Sequence, residues 1–180
     1  MGKLNDKIIL LVGKSGLGKT TVADYLQEHY GYKVLQAYTT RPRRSEGDSD
    51  HIYITEEEYQ ALPNKVATTT FNGFHYCCTE DQINDADVYV IDPDGVDTLI
   101  QNYTGTKELV SILLEGSMEL SLERMRKRGD SEDDCWSRLR HDEKAFKDFD
   151  CPNILLAHWS IPGIAKEIQW IVNGVRSYDC

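Results

Sequence analysis

Residues 13–20 read Gly13-Lys14-Ser15-Gly16-Leu17-Gly18-Lys19-Thr20, a complete G-x-x-x-x-G-K-[ST] motif. Before it stands an unbroken apolar run, Ile8-Ile9-Leu10-Leu11-Val12; after it comes an amphipathic stretch, Thr21 to Tyr30. A buried strand, a glycine-rich turn and a helix N-terminus in that order confine the chain to α/β architectures. Glycines let the backbone wrap a phosphate, and the N–H groups of the first helical turn point at it. Gly13, Ser15, Gly16, Gly18, Lys19 and Thr20 are therefore the expected nucleotide-binding residues. Lys19 would reach the β- and γ-phosphates, and Thr20 would offer its hydroxyl to Mg²⁺. The expectation is a chain that binds a nucleoside triphosphate, ATP with Mg²⁺.

Charge supports small polyanions as partners. The net charge is −10, which argues against nucleic acid. Eleven of the 20 Lys and Arg nonetheless fall in three short segments. These are the loop itself (Lys14, Lys19), residues 41–44 (Arg41, Arg43, Arg44) and residues 124–140 (Arg124, Arg126, Lys127, Arg128, Arg138, Arg140). No apolar run approaches the ~20 residues a membrane span needs. Met1 to Asp6 leads straight into the first strand, which leaves no room for a signal peptide, and Asp6 stands where a myristoylation signal on Gly2 would need Ser or Thr. Five cysteines without a C-x-x-C pair fit neither a zinc site nor a disulfide framework and suit a reducing cytoplasm.

The 180 residues make one domain with no linker or repeat. Strands are expected at 7–12, Lys33 to Tyr38, Ile52 to Ile54, Val88 to Asp92, Leu109 to Leu114 and Asn153 to Ala157. Helices are expected from Lys19 to Tyr30, Met118 to Arg128, Cys135 to Phe149 and Pro162 to Val175. Thr55-Glu56-Glu57-Glu58 is a capping box for a short helix, and Thr79-x-x-Gln82 caps another. Asn72-Gly73 between Val66–Phe71 and Phe74–Cys78 is a hairpin signature. Strands alternating with helices imply a parallel sheet covered on both faces. The β-rich stretch 39–80 reads as an acceptor-binding lobe inserted in a core of 1–38 and 81–180, with a lid at about 124–142.

In motif order the chain resembles guanylate kinases and related nucleoside monophosphate kinases. Thr39-Thr40-Arg41-Pro42-Arg43-Arg44-Ser45-Glu46 is similar to the T-T-R-x-x-R-x-G-E loop that grips the acceptor phosphate there. Tyr76 falls where that family carries its Y-G-T/S tyrosine. Val90-Ile91-Asp92-Pro93-Asp94-Gly95-Val96 resembles its I-D-x-x-G-V strand end. Arg124 to Gly129, Asp130-Ser131-Glu132 and Arg138 resemble its lid.

The resemblance implies an α/β, three-layer P-loop kinase with a parallel sheet core, a small β-containing acceptor-binding insert and a helical lid. It implies catalytic roles for Lys19, Asp92, Arg128 and Arg138, and acceptor contacts from Thr39, Arg41, Arg44, Glu46, His51, Tyr76 and Cys78. Asp92 would organise Mg²⁺ through water or orient an Arg. Arg43, Arg126 and Lys127 read as solvated charges, Asp94 as a turn residue at a helix start.

The departures concern the base. His51 follows Asp50 where the family has Tyr after Asp, Ala67 occupies the register of its guanine-reading Glu, and Cys77-Cys78 replaces its Gly-Thr/Ser. The last strand lacks the Asn-Asp that lies near the donor base in that family. GMP or dGMP heads the expected acceptors. A second phosphorylated acceptor, such as ribose 1,5-bisphosphate, is the alternative, and a catalytically dead binding module a third reading. Partners are small-molecule nucleotides, with neither nucleic acid nor membrane among them.

Overall fold

The computed structural model describes residues 4, 6–43 and 46–174. The expectations on Gly2, Arg44 and Cys180 lie outside those residues.

The unbroken apolar run becomes the central strand β1 (Lys7–Gly13), and its flawless hydrophobicity follows from burial on both faces. Ile9 and Leu11 point into one core with Val22, Leu26, Ile112, Leu114, Ile164 and Ile168. Ile8, Leu10 and Val12 point into another with Ile83, Ile91, Val96 and Leu99. The period of two in side-chain direction thus divides one sequence run between two layers.

Helix α1 (Lys19–Tyr30) leaves the loop after β1 and is closed by Gly31 at φ 72. The chain then forms β2 (Tyr38–Thr39), β3 (Ile52–Tyr53), α2 (Glu56–Ala61), β4 (Lys65–Phe71) and β5 (Phe74–Thr79). The core resumes with α3 (Glu80–Asp85), β6 (Val88–Val90), α4 (Pro93–Asn102) and β7 (Glu108–Glu115). It ends with α5 (Met118–Arg128), α6 (Glu132–Ala145), β8 (Ile154–Leu156) and α7 (Ile161–Asn173). The core sheet is all parallel in the order β6-β1-β7-β8; the second sheet runs β3-β2-β5-β4. This is the α/β, parallel-sheet architecture of P-loop kinases, with helices on both faces. Among the described residues no helix is long and apolar enough to cross a membrane.

Both capping boxes form, at Thr55/Glu58 and Thr79/Gln82. The hairpin turns at Asn72 (φ 51) and Gly73 (φ 79), the paired positive dihedrals that an Asn-Gly turn supplies. The second sheet is tied to the core by Thr98 of α4. Its hydroxyl accepts from Thr68 N–H at 2.9 Å and donates to Thr68 C=O at 3.1 Å.

Three expectations need correction. Residues 33–38 do not form a strand of the core sheet: Val34 makes one parallel bridge to Val88 before the chain turns into β2. Main-chain pairing with the start of β6 stops at Leu35, whose N–H donates to Val88 C=O at 2.8 Å, and by Ala37 the carbonyl already accepts from Ile52 N–H of β3. Lys33 N–H donates to the Asp87 carboxylate at 2.8 Å, and Gln36 C=O accepts from Gln82 Nε2 at 2.9 Å. Second, α6 begins at Glu132, three residues before the expected Cys135, because Ser131 caps it. Ser131 Oγ accepts from Asp134 N–H at 3.1 Å, and Glu132, Asp133 and Asp134 complement the positive end of the helix. Third, α4 is a full helix where only a helix start near Asp94 was anticipated. Gly95, Val96, Thr98 and Ile100 are poor helix formers, and packing against β4 supplies what propensity does not.

Candidate active site

The loops after β1, β6 and β7 open at one end of the parallel sheet, where helix N-termini face solvent. The insert and the lid enclose that end and leave a cavity of about 670 Å³.

On one wall is the glycine loop. Gly16 takes φ +78, and a Cβ there would lie 2.6 Å from the Ser121 carbonyl oxygen of α5, so only glycine fits. Gly18 caps α1 in the left-handed conformation (φ 91) without a side-chain hydrogen bond, which leaves the first-turn N–H groups to the cavity. Lys19 folds back over the loop, donating from Nζ to the Gly13 carbonyl and, at 3.1 Å, to that of Lys14. Burial pushes its ammonium down to about 8. The charges of Asp142 and Asp92 resist that fall, and those of Arg138 and Arg128 add to it. Ser15 N–H, inside the loop, donates to Oδ2 of Asp142 at 2.7 Å. Thr20 follows on the first turn and lines the cavity.

Asp92 sits at the end of β6. Its Oδ1 accepts from Gly95 N–H at 2.7 Å and so caps α4, while the side chain also forms cavity wall. Burial raises its carboxyl above the usual range, and the Gly95 hydrogen bond opposes the rise. From the lid, Arg124, Arg128 and Arg138 reach the same cavity. Arg128 Nε donates to Asp130 Oδ1 at 3.0 Å, and Arg138 Nε lies 3.9 Å from Asp130 Oδ2. Arg126 points away and forms a fork with Glu132 at 2.6 and 2.8 Å, in keeping with a surface charge.

The opposite wall comes from the insert. Arg41, only 9% exposed, donates to Asp48 Oδ2 and to Tyr53 Oη, each at 3.0 Å. Its Nε is buried with no hydrogen-bond partner among the described residues, although Arg41 lines the cavity. Tyr76 and His51 line the same wall, their rings edge to face with centroids 5.6 Å apart. Phe71, at the end of β4, meets His141 of α6 edge-on at 4.6 Å, so insert and lid touch.

Lys19, Asp92, Arg128, Arg138, Arg41, His51 and Tyr76 are thus brought around one cavity, with Gly13, Ser15, Gly16, Gly18 and Thr20. Three other expected contacts are not. Thr39 is fully buried; its hydroxyl donates to His75 C=O at 2.9 Å and accepts from Arg41 N–H at 3.1 Å, so it positions the Arg41 backbone. Cys78 is fully buried beneath the wall, where desolvation pushes its thiol up to about 12 against a hydrogen bond from Tyr89. Glu46 is exposed and forms no part of the cavity lining. Sequence reading passed over Arg124 and Asp142 as site residues. The available signal was helical spacing: Arg124 and Arg128, like Arg138 and Asp142, stand four residues apart on one face. Arg124 clamps the loop by donating to Leu17 C=O at 3.2 Å and to Ala157 C=O at 2.9 Å.

Comparison with known proteins bears on the family and the fold. The protein family described as AAA domain matches residues 9–147. No curated protein matches the chain in sequence. Among solved structures, a guanylate kinase from Anaplasma phagocytophilum superposes with a TM-score of 0.61 at 17% identity, covering 97% of this chain and 88% of that one. A gluconokinase from Sinorhizobium meliloti 1021 superposes with a TM-score of 0.54, also at 17% identity, covering 94% and 93%. Likeness at that identity is likeness of fold.

Proposed function

We propose, from the premise that this chain belongs to the AAA domain family, that it is an ATP-dependent kinase of a phosphorylated small molecule, first of all a nucleoside monophosphate with GMP or dGMP at the head. The observation that carries this reading is the pairing of opposed cations in one cavity. The glycine loop with Lys19 forms one wall, and Arg41, with its buried unpartnered Nε, faces the same space from the other. A kinase needs that arrangement, since two phosphorylated reactants must meet with their phosphates in line while the protein neutralises charge.

Loop N–H groups and Lys19 would orient the donor phosphates. Arg41 would bind the acceptor phosphate, with Tyr76 and His51 beside it, and Arg128 and Arg138 would exchange Asp130 for the transferring group. No general base is demanded, because the attacking phosphate oxygen is already ionised. Closure of insert on lid, already visible in the Phe71–His141 contact, would keep water from the donor.

The donor set at the loop fits Mg²⁺: the Thr20 hydroxyl and the Asp92 carboxylate are hard oxygens on the same cavity. Among the described residues no cluster of three His, Cys, Asp or Glu forms a protein-only metal cage. When bound, Mg²⁺ would neutralise phosphate charge.

Ala67 favours a second reading. It lines the cavity in the register of the family's guanine-reading acid, and a methyl group cannot pair with a base edge. A phosphorylated acceptor without a base, ribose 1,5-bisphosphate being the example, would still engage Arg41. The test is ATP consumption with Mg²⁺ against GMP, dGMP, AMP, CMP, UMP, dTMP and ribose 1,5-bisphosphate. Turnover confined to GMP or dGMP supports the first reading. Turnover with the bisphosphate alone replaces it with the second, and ATP bound without turnover on any acceptor would overturn both.

A further inference from the structure

Asp142 has no role in the scheme above, yet it makes a direct polar contact from the lid to the glycine loop. It lies on α6, four residues beyond Arg138 and next to His141. It is 6% exposed, and its Oδ2 accepts the Ser15 N–H at 2.7 Å across 127 residues of sequence. That N–H belongs to the loop between Gly13 and Gly18, whose amides form the anion cradle. A carboxylate oxygen and a phosphate oxygen present the same thing to such a cradle: a negative charge with open lone pairs.

Resting on the reading of this loop as the donor-phosphate site, we infer that Asp142 is a lid-borne stand-in for a donor phosphate oxygen, which the incoming nucleotide must displace. The cations of the loop and lid thereby have carboxylate partners built into the chain. Asp142 holds the loop, and its charge acts on Lys19. Asp130 holds Arg128 and lies near Arg138. Expelling Asp142 shifts the helix that carries Arg138, because the two residues share one face one turn apart. Donor binding and redeployment of the lid arginine are then one event. The contact also has a cost that a ligand must meet, since the same amide cannot serve both anions. Asp142 therefore sets the donor affinity from outside the loop motif, as a positioning residue rather than a catalytic one.

The experiment uses no acceptor, so it is independent of acceptor identity. Inorganic pyrophosphate and a non-hydrolysable ATP analogue are titrated into the full chain and into Asp142→Asn, which removes the charge and keeps the shape. The expected result is binding at least about tenfold tighter in the variant for both probes. A purely structural role for Asp142 predicts the opposite sign, since a loosened lid would weaken binding. Equal or weaker binding by Asp142→Asn, with the wild type still binding, overturns the inference and leaves the loop assignment standing. No binding of either probe by either protein overturns the loop assignment and the inference together. If Asp142→Asn fails to fold, the wild-type carboxyl carbon of Asp142 is followed by NMR: a shift on adding pyrophosphate is expected, and an unchanged signal overturns the inference.

Discussion

The two walls of the cavity are built on different principles. The donor wall is one contiguous segment, eight residues from the end of a strand to the first turn of a helix, and its ligand groups are mostly backbone. The acceptor wall is gathered from three places, Arg41, His51 and Tyr76, and its groups are side chains held by other side chains. A backbone cradle tolerates wide variation in side chains and needs glycine where the chain crowds β7 at Gly13 and α5 at Gly16, and where Gly18 takes the left-handed conformation. A side-chain wall can change one residue at a time, and Ala67 and His51 stand where the resembling family carries Glu and Tyr. On the proposed reading, the donor site rests on backbone groups and the acceptor site on side chains.

The sharpest way to break this contrast is Lys19→Met. Its ammonium is the side-chain charge that the G-K-[ST] end of the motif specifies, so turnover is expected to fall by about 10²- to 10³-fold, the range found when a preorganised donor is removed. Circular dichroism and thermal unfolding should remain near wild type, because Lys19 belongs to neither of the two hydrophobic cores that hold β1. A well-folded Lys19→Met with near-normal turnover would sink the donor assignment.

Arg41→Ala addresses the other wall. Loss of a charged hydrogen bond to the acceptor phosphate is expected to raise the acceptor KM by roughly 1.5–3 kcal/mol, about ten- to a hundredfold. The donor KM should stay put. A change in both would mean that the walls are coupled more tightly than their construction suggests. An unchanged acceptor KM would remove Arg41 from the site.

How much of this was legible beforehand follows the same division. The loop, α1 and the hairpin are local patterns, and the strand–turn–helix order with the Asn72-Gly73 turn placed them. The lid helix α5 was equally plain, bounded by Ser117 and Gly129. What escaped depends on distant partners. Residues 33–38 have strand-like composition, but their main chain is shared between the start of β6, through Lys33 and Leu35, and β3, through Ala37. Thr39 and Cys78 read as ligand contacts from their place in a motif, and only the packing of β2, β4 and β5 shows that they face inward. Asp142 carried no motif at all; its meaning comes from Ser15, 127 residues away.

The donor wall also predicts a pH dependence that the acceptor wall does not share. Burial lowers the Lys19 ammonium to about 8 in the free enzyme, with Asp142 and Asp92 holding it up and Arg138 and Arg128 pressing it down. The charged form binds phosphate, and a bound polyanion raises the pKa again, so the complex keeps its proton to higher pH than the free enzyme. Donor kcat/KM, which reports free-enzyme groups, should therefore be flat below about 8 and fall up to tenfold per pH unit above it. Arg41 stays protonated throughout, so acceptor affinity measured by direct binding should not bend at that point. A Lys19→Arg variant, weak as it is expected to be, should lose the bend. If the limb persisted there, it would belong to another group.

The smallest expected effect lies at the joint between the walls. Gly129 ends α5 in the left-handed conformation (φ 94), and Ser131 starts α6 by accepting the Asp134 N–H, so three residues separate the two lid helices. Ser131→Ala removes that cap at a cost of about 1 kcal/mol, roughly a fivefold shift in the local equilibrium between a formed and a frayed first turn. Because α6 carries both Arg138 and Asp142 while α2 to β5 share nothing with its cap, hydrogen exchange should quicken at the start of α6 and stay unchanged in the insert. Donor KM should move by no more than a few-fold. An equal rise in exchange over Lys65–Phe71 would show that the Phe71–His141 contact transmits lid fraying into the insert, and the two walls would then have to be treated as one cooperative unit.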